Sequence, residues 1–340
     1  MVRLAFCIIA RNEAARIGAL IASLAQQTII ADGHTIQVVV VSNNCSDNTA
    51  DVAKTALQQA FACRGIDTLV HETPHGGKAR SWNLAVHDLL DPDADVALFM
   101  DADIEFIEDN VLSAMLDELR ANESVLAVSG YPLKDIAKKS HKSLLDLFSL
   151  KISSQTPAPH SINGSLYAAR MAELKKIYLP VPTPGEDGLL SAMLHSEGFS
   201  QPVELHRIKR MAHPTHYFEA HSIGGFFRHE QRMTVGTTIN GWIFEALWAG
   251  TYSQHVGQLI HEWNRNDPDW VDRLVADKVG NRRWALPPRM LFWRLNNLRQ
   301  GDLLGRLARL PFSLTATLLN IWPCIAANRI LRQRGSASYW

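Results

Sequence analysis

The stretch Val96-Ala97-Leu98-Phe99-Met100-Asp101-Ala102-Asp103 decides how the rest of the chain is read. An apolar, buried-strand pattern runs straight into two carboxylates spaced i, i+2. On an extended backbone that spacing sends both side chains to the same side. The carboxyl end of a strand is where an open α/β sheet builds its ligand crevice. Two acids there repel each other unless positive charge is shared between them. A hard divalent ion, Mg²⁺ or Mn²⁺, held jointly with substrate phosphates, is the natural counter-charge. An acidic loop capping the next helix is the plainer alternative.

Working outward from this strand, apolar runs and helical patterns alternate. Leu4–Ala10 predicts a buried strand and Ala14–Gln27 a helix; Gln37–Val41 a second strand and residues 48–64 a helix. Asp67–His71 predicts a short strand, Lys78–Leu90 a helix, Ala94–Met100 the acid-bearing strand, Val111–Arg120 a helix, and Val125–Ser129 and Val203–Met211 further strands. Continuous apolar strands alternating with such helices imply an α/β fold, a mostly parallel sheet flanked by helices. From about Phe226 strand patterns stop, and Trp242, Trp248, Trp263, Trp270, Trp284, Trp293 and Trp322 crowd among Arg and Leu. The expected organisation is a catalytic domain over 1–225 and a helical, Trp/Arg-rich C-terminal region over 226–340.

At 340 residues the chain can hold one large α/β domain with an appendage. Its 34 basic and 34 acidic residues balance, so no net field draws it to nucleic acid. Cys7, Cys45, Cys63 and Cys324 are scattered without a C-x-x-C pair, which argues for a reducing, cytoplasmic compartment. The apolar run after Arg3 is short and meets charge at Arg11, the pattern of a first strand and not of a signal peptide.

Several other clusters carry two readings. Ala10-Arg11-Asn12-Glu13 and Ser42-Asn43-Asn44-Cys45-Ser46-Asp47 end the first two strands, where a base and ribose would find donors and acceptors. Asn12 and Asp47 could equally cap the helices that follow. Gly76-Gly77-Lys78 opens a helix and suits an anion, although a simple turn also explains the glycines. Glu186 and Asp187 start an apolar helix: the macrodipole favours them there, and a general base is the functional alternative. His213, followed by His216, His221 and His229, could complete a metal shell or sit at the surface.

In order, these segments resemble inverting glycosyltransferases of family 2, which have the GT-A fold. The matching residues are Arg11-Asn12-Glu13, Ser46-Asp47, Gly77-Lys78-Ala79 with Asn83, Asp101-Ala102-Asp103, Asn163-Gly164-Ser165 and Glu186-Asp187. The resemblance implies that Ala10, Arg11, Asn12, Glu13, Asn43, Asp47, Asp101 and Ala102 hold a nucleotide-sugar donor, with Asp101 and Asp103 on Mn²⁺ or Mg²⁺. It implies Asp187 as the catalytic base, Glu186 beside it, and Gly164 at the sugar pocket. Lys78 and Arg232 become candidates for phosphate contacts. The Gln-x-x-Arg-Trp motif of processive members is replaced by His229-Glu230-Gln231-Arg232-Met233, so polymer synthesis is not implied.

The resulting expectation is transfer of one sugar, UDP-linked by default, to an acceptor hydroxyl on a lipid or cell-envelope glycan. An inactive nucleotide-sugar-binding protein and a sugar nucleotidyltransferase are the rivals. Retention of Asp101, Asp103 and Asp187 speaks against the first, and the absence of a glycine- and arginine-rich loop after the first strand speaks against the second. Leu310–Asn328 carries no charge and is bounded by arginines, which suits peripheral attachment to the cytoplasmic face of a membrane, with a membrane span and a buried helical cap as the alternatives.

Overall fold

The computed structural model describes all residues except 144–145, 148–149, 151–158, 220–222, 297, 299–302 and 335–340. Two compact units divide the chain. The first comprises Met1–Leu179, Glu186–Ala220 and Tyr252–His261; the second comprises Pro180–Gly185, His221–Thr251 and Glu262–Trp340.

In the first unit the order is β1 (Arg3–Ala10), α1 (Ile17–Leu24), β2 (Thr35–Asn43), α2 (Thr49–Phe61), β3 (Asp67–Thr73), α3 (Lys78–Leu84), β4 (Val96–Asp101), β5 (Glu105–Phe106) and α4 (Val111–Arg120). There follow β6 (Ala127–Ser129), β7 (Pro132–Lys134), β8 (Leu166–Arg170), α5 (Met171–Leu174), α6 (Glu186–His195), β9 (Ile208–Arg210) and β10 (His216–Phe218). Seven strands form one sheet in the order β3-β2-β1-β4-β8-β6-β9. Only β8 runs against its neighbours, β4 and β6; the other pairings are parallel. A smaller sheet, β5-β10-β7, was not legible in the sequence.

The apolar strands β1, β2 and β4 sit at the centre because helices cover both faces. Phe6, Ile8, Val38, Val40, Leu98 and Met100 pack with Ile17, Ile21 and Leu24 of α1 and with Leu112, Met115 and Leu116 of α4 in one buried cluster. Each such side chain contributes roughly 1.5–3 kcal/mol on burial. The parallel register sets Ile9 of β1 opposite Asp101 and Ala10 opposite Ser42. The polar ends of three strands are thereby brought level.

Two helices are shorter than the apolar periodicity predicts. The one expected over Ala14–Gln27 is helical only over Ile17–Leu24: the Ala14 N–H is given to Asp47, and a 3₁₀ turn over Thr28–Ile30 follows. The one expected over Lys78–Leu90 changes to a π turn at Ala85–Leu89. The strand expected over Val203–Met211 contracts to Ile208–Arg210 behind a 3₁₀ turn, where Val203 and Leu205 are exposed and have no core to enter.

In the second unit lie α7 (Ile223–Ala249), the C-terminal part of α8 (Val256–Asn266, whose residues up to His261 belong to the first unit), α9 (Trp270–Val279), α10 (Pro288–Asn296) and α11 (Leu303–Arg334). No strand occurs among its described residues. Trp263 and Trp270 pack at 4.9 Å between ring centroids. No helix among the described residues is long and apolar enough to cross a membrane.

Candidate active site

The loops after β1 and β2 are tied to one another before any ligand enters. Asn12 adopts a left-handed conformation, φ 56°, and its side-chain carbonyl accepts from the Ser46 N–H at 2.8 Å. The Glu13 N–H donates to Thr49 Oγ1 at 2.8 Å and the Ala14 N–H to Asp47 at 3.2 Å. Asp47 also accepts from the Thr49 N–H and hydroxyl, which holds its carboxyl below its ordinary value. Asp47 therefore fastens the start of α2 and the loop beyond β1 together. Asn43 is buried and accepts from the Gly77 N–H at 3.0 Å, so it positions the glycine turn. Ala10 and Ala102 are buried, and Arg11 is half-buried at the end of β1.

Lys78 is the hub of the site. Its ammonium lies 2.6 Å from Asp101 and 3.3 Å from Glu186, and donates to the Gly164 carbonyl at 2.9 Å. Burial alone would depress it, but Asp101 and Glu186 outweigh burial and hold the ammonium above its ordinary value. The expected role of Lys78 as a free phosphate ligand meets a competing fact: its charge is already shared by two carboxylates. Asp101 is anchored in turn by its N–H, which donates to the Ser165 carbonyl at 2.9 Å. Burial raises its carboxyl while Lys78 opposes the rise.

Glu186 and Asp187 open α6, as the pattern predicted. Burial and then the Glu186 charge push the Asp187 carboxyl up to about 6, against Lys78 and the N–H groups of Gly188 and Gly164. The Gly188 N–H lies 2.7 Å from an Asp187 oxygen. Gly164 lies in close approach to the network: a Cβ there would sit 3.3 Å from both Glu186 Oε1 and Lys78 Nζ, and either side chain would have to give way by a few tenths of an ångström. Beneath the network Trp82 donates to the Tyr167 hydroxyl at 2.6 Å, and Phe99 stacks on both rings. The gap these residues enclose is about 10 Å³, room for one water at most.

Asp103 follows Asp101 with its side chain half-exposed. Negative charge is in surplus around it: burial first, then Asp103, pushes the Glu13 carboxyl up to about 7, with Asp101 and Asp47 adding to the rise and Arg16 opposing it. His213 is not brought into this group. It is exposed in the bend after β9, and among the described residues no three His, Cys, Asp or Glu side chains are assembled as a metal-ready cluster. The histidine carried inward is His216, two positions before the end of the three-residue strand β10. Its ring bridges Ser165 Oγ at 2.7 Å and Thr215 Oγ1 at 2.8 Å, and burial pushes it down to about 3. Sequence reasoning passed over this role, because β10 is too short to show alternation. Arg232 lies on α7 in the second unit and is exposed.

A larger cleft of about 490 Å³ in the first unit contains none of these residues. Its charges pair internally, Arg207 with Glu197 and Glu204, and Lys176 with Glu173.

A mostly parallel sheet whose strand ends gather acids, met by a helix that begins with a Glu-Asp pair, has the architecture of a GT-A glycosyltransferase. Residues 5–170 of the chain match the family model of glycosyl transferase family 2. Among solved structures it is similar to the mannosyltransferase PcManGT from Pyrobaculum calidifontis in complex with GDP-Man and Mn²⁺. That likeness has 18% identity and a TM-score of 0.55, and covers 98% of this chain and 87% of the other. It is also similar to glucosyl-3-phosphoglycerate synthase from Mycobacterium tuberculosis in complex with Mn²⁺, UDP and glucosyl-3-phosphoglycerate. There the identity is 16%, the TM-score 0.48, and the coverage 74% and 82%. At these identities the first likeness speaks to the fold. No curated protein sequence matches the chain.

Proposed function

We propose that the chain transfers one sugar from a nucleotide-sugar, UDP-linked, to an acceptor hydroxyl with inversion at the anomeric carbon. The observation that carries this reading is the convergence of Asp101, Lys78, Gly164, Glu186 and Asp187 on one point at the sheet's carboxyl edge. Asp187 takes the proton from the attacking hydroxyl. Its carboxyl, lifted to about 6, is still ionised at neutral pH and is a stronger base than an ordinary aspartate. Burial, and after it the Glu186 charge, keeps Asp187 there, and Lys78 limits the rise.

The donor lies across the loops after β1, β2 and β4. Arg11, Asn12 and Glu13 face its base and ribose, while Asn43 and Asp47 hold those loops in place. The carboxylates of Asp103 and Asp101 fit Mn²⁺ or Mg²⁺, since they offer hard oxygens where negative charge is in surplus. Such an ion supplies positive charge against the departing diphosphate. His213, exposed in the bend after β9, remains a proposed ligand to the ion. Arg232 remains a proposed phosphate contact.

The catalytic part is taken as 1–225 and the helical region as 226–340. The acceptor is a hydroxyl on a lipid-linked or cell-envelope glycan, met by a chain attached peripherally to the cytoplasmic face of a membrane. The test is a thermal-shift screen of UDP-, GDP- and dTDP-sugars with Mn²⁺, followed by NMR of the product formed from the donor that binds. A product of inverted anomeric configuration is expected. A retained configuration, or donor binding without transfer to any glycan or lipid-linked acceptor, overturns the reading.

A further inference from the structure

Helix α11 packs inward through Cys324, Ala327 and Leu331 and yet carries a second apolar face outward. Its inward residues include Ser313, Asn320 and Asn328, all buried. Asn320 donates to the Met290 carbonyl at 2.8 Å, and Asn328 accepts from the Ala285 N–H at 2.8 Å and donates to the Arg283 carbonyl at 3.1 Å. Outward lie Leu307, Leu310, Leu314, Leu318, Ile321 and Trp322. Leu318 is 67% exposed and Trp322 61%. The spacings of three and four place these six within about a third of the helix circumference, a continuous stripe along about four turns. Ordinary surface helices bury such a stripe, and an exposed one marks a surface that something apolar covers.

The charge beside the stripe says what covers it. Residues 281–340 contain ten arginines, no lysine and one acid, Asp302, although the whole chain is neutral. Arg282, Arg283, Arg289, Arg306, Arg329 and Arg332 are exposed. On a helical projection Arg329 and Arg332 continue the apolar stripe at its C-terminal end. A second copy of this chain set against the stripe would bring the same positive charge to meet it, so symmetric self-association is opposed. A bilayer bearing anionic lipid offers what is needed: hydrocarbon for the leucines, headgroup level for Trp322, and negative charge for the arginines.

The geometry points to α11 lying in the plane of an anionic membrane surface, with the Leu307–Trp322 stripe in the headgroup–acyl boundary and flanking arginines on the headgroups. Because no helix among the described residues is suited to crossing, the attachment is one-sided and reversible. This rests on the membrane-attached part of the proposed function but not on its sugar chemistry.

The experiment is co-sedimentation of the full chain with vesicles of phosphatidylcholine alone and of phosphatidylcholine with 30% phosphatidylglycerol. Nucleotide-sugar binding is measured on the same samples. Wild type should bind the anionic vesicles at least tenfold more tightly than the neutral ones, and 0.5 M NaCl should weaken that binding. The double variant Leu314→Ser/Leu318→Ser should lose tenfold or more, as should Arg329→Gln/Arg332→Gln. The first pair is exposed, so its melting temperature and donor binding should stay at wild-type values. Equal binding by wild type and both variants overturns the docking face, as does no binding to anionic vesicles by a chain that still binds donor. A dimer in sedimentation velocity that Leu314→Ser/Leu318→Ser abolishes, with no vesicle binding, also overturns it and makes the stripe an interface between copies. Lost donor binding with vesicle binding intact would strike the proposed chemistry alone.

Discussion

The ammonium of Lys78 sits 2.6 Å from the carboxylate of Asp101, at the point where β4 ends and α3 begins. That pair joins two motifs that are separate in sequence, the glycine turn and the acid-bearing strand. Through its second contact, to Glu186, it extends to the helix that carries the proposed base. Lys78 is accordingly a positioning residue, acting on substrate through the acids it holds.

Removing that charge leaves two carboxylates with no shared counter-ion. Lys78→Met is expected to destabilise the fold by about 3 kcal/mol, the cost of breaking a mostly buried ion pair from one side. The variant should also move the acid limb of the pH–rate profile upward, because Asp187 loses an opposing positive charge. Urea titration and a pH–rate profile check the two effects separately. An unshifted limb in a folded variant would remove Lys78 from the network.

Surplus negative charge around Asp103 should be visible without turnover. Glu13 has a folded value of about 7, above the ordinary 4.5. Between those two values the folded state holds more protons than the unfolded one, so stability falls as pH rises through that window. Glu13→Gln should therefore raise the melting temperature at pH 8 and leave it nearly unchanged at pH 4.5. Mn²⁺ at pH 8 should stabilise wild type and fail to stabilise Asp103→Ala. An equal Mn²⁺ response in both proteins would exclude Asp103 as a ligand.

What the sequence showed and what it hid divide along physical lines. Buried strands such as Val38–Val41 and Val96–Met100 announce themselves because both faces are apolar. Their register then fixes the level of Ala10, Ser42 and Asp101 almost without choice. Asp47 was legible in its hold on the start of α2 but not in its hold on the loop after β1, and Asn43 and Lys78 were legible as site-lining residue types but not in their tasks. Each spends its polar atoms on another loop, and no local pattern records which loop comes near. His213 and His216 look alike in sequence, both being histidines after the strand expected over Val203–Met211. Only the partnering of His216 with Ser165 and Thr215 separates them.

His216 makes a prediction of its own. Burial holds it at about 3, against an ordinary value of 6.5, so the fold requires the neutral ring. Its contribution is fully present above pH 6.5 and is lost as pH falls toward 3, where the unfolded chain binds a proton the native state refuses. His216→Gln should cost about 1–3 kcal/mol at pH 7 through the broken hydrogen bonds. It should also flatten the decline of stability between pH 6.5 and 4. Parallel pH–stability curves for the two proteins would contradict the assignment.

Asp187 allows the sharpest separation of a catalytic from a structural role. As the first-turn acid of α6 it also interacts favourably with the helix N-terminus, a role that Asn fills nearly as well because its side-chain carbonyl still accepts from the Gly188 N–H. Proton transfer is different, since the amide of Asn cannot accept the proton of an attacking hydroxyl. Asp187→Asn is thus expected to keep its melting temperature within a few degrees and its donor affinity within about threefold, while turnover falls by roughly two to four orders of magnitude. In wild type the ionised form is the active one, so kcat should drop on the acid side with a midpoint at about pH 6. That limb should be missing from the residual activity of the Asn variant. Turnover near the wild-type level in Asp187→Asn would leave this residue as a helix start and nothing more.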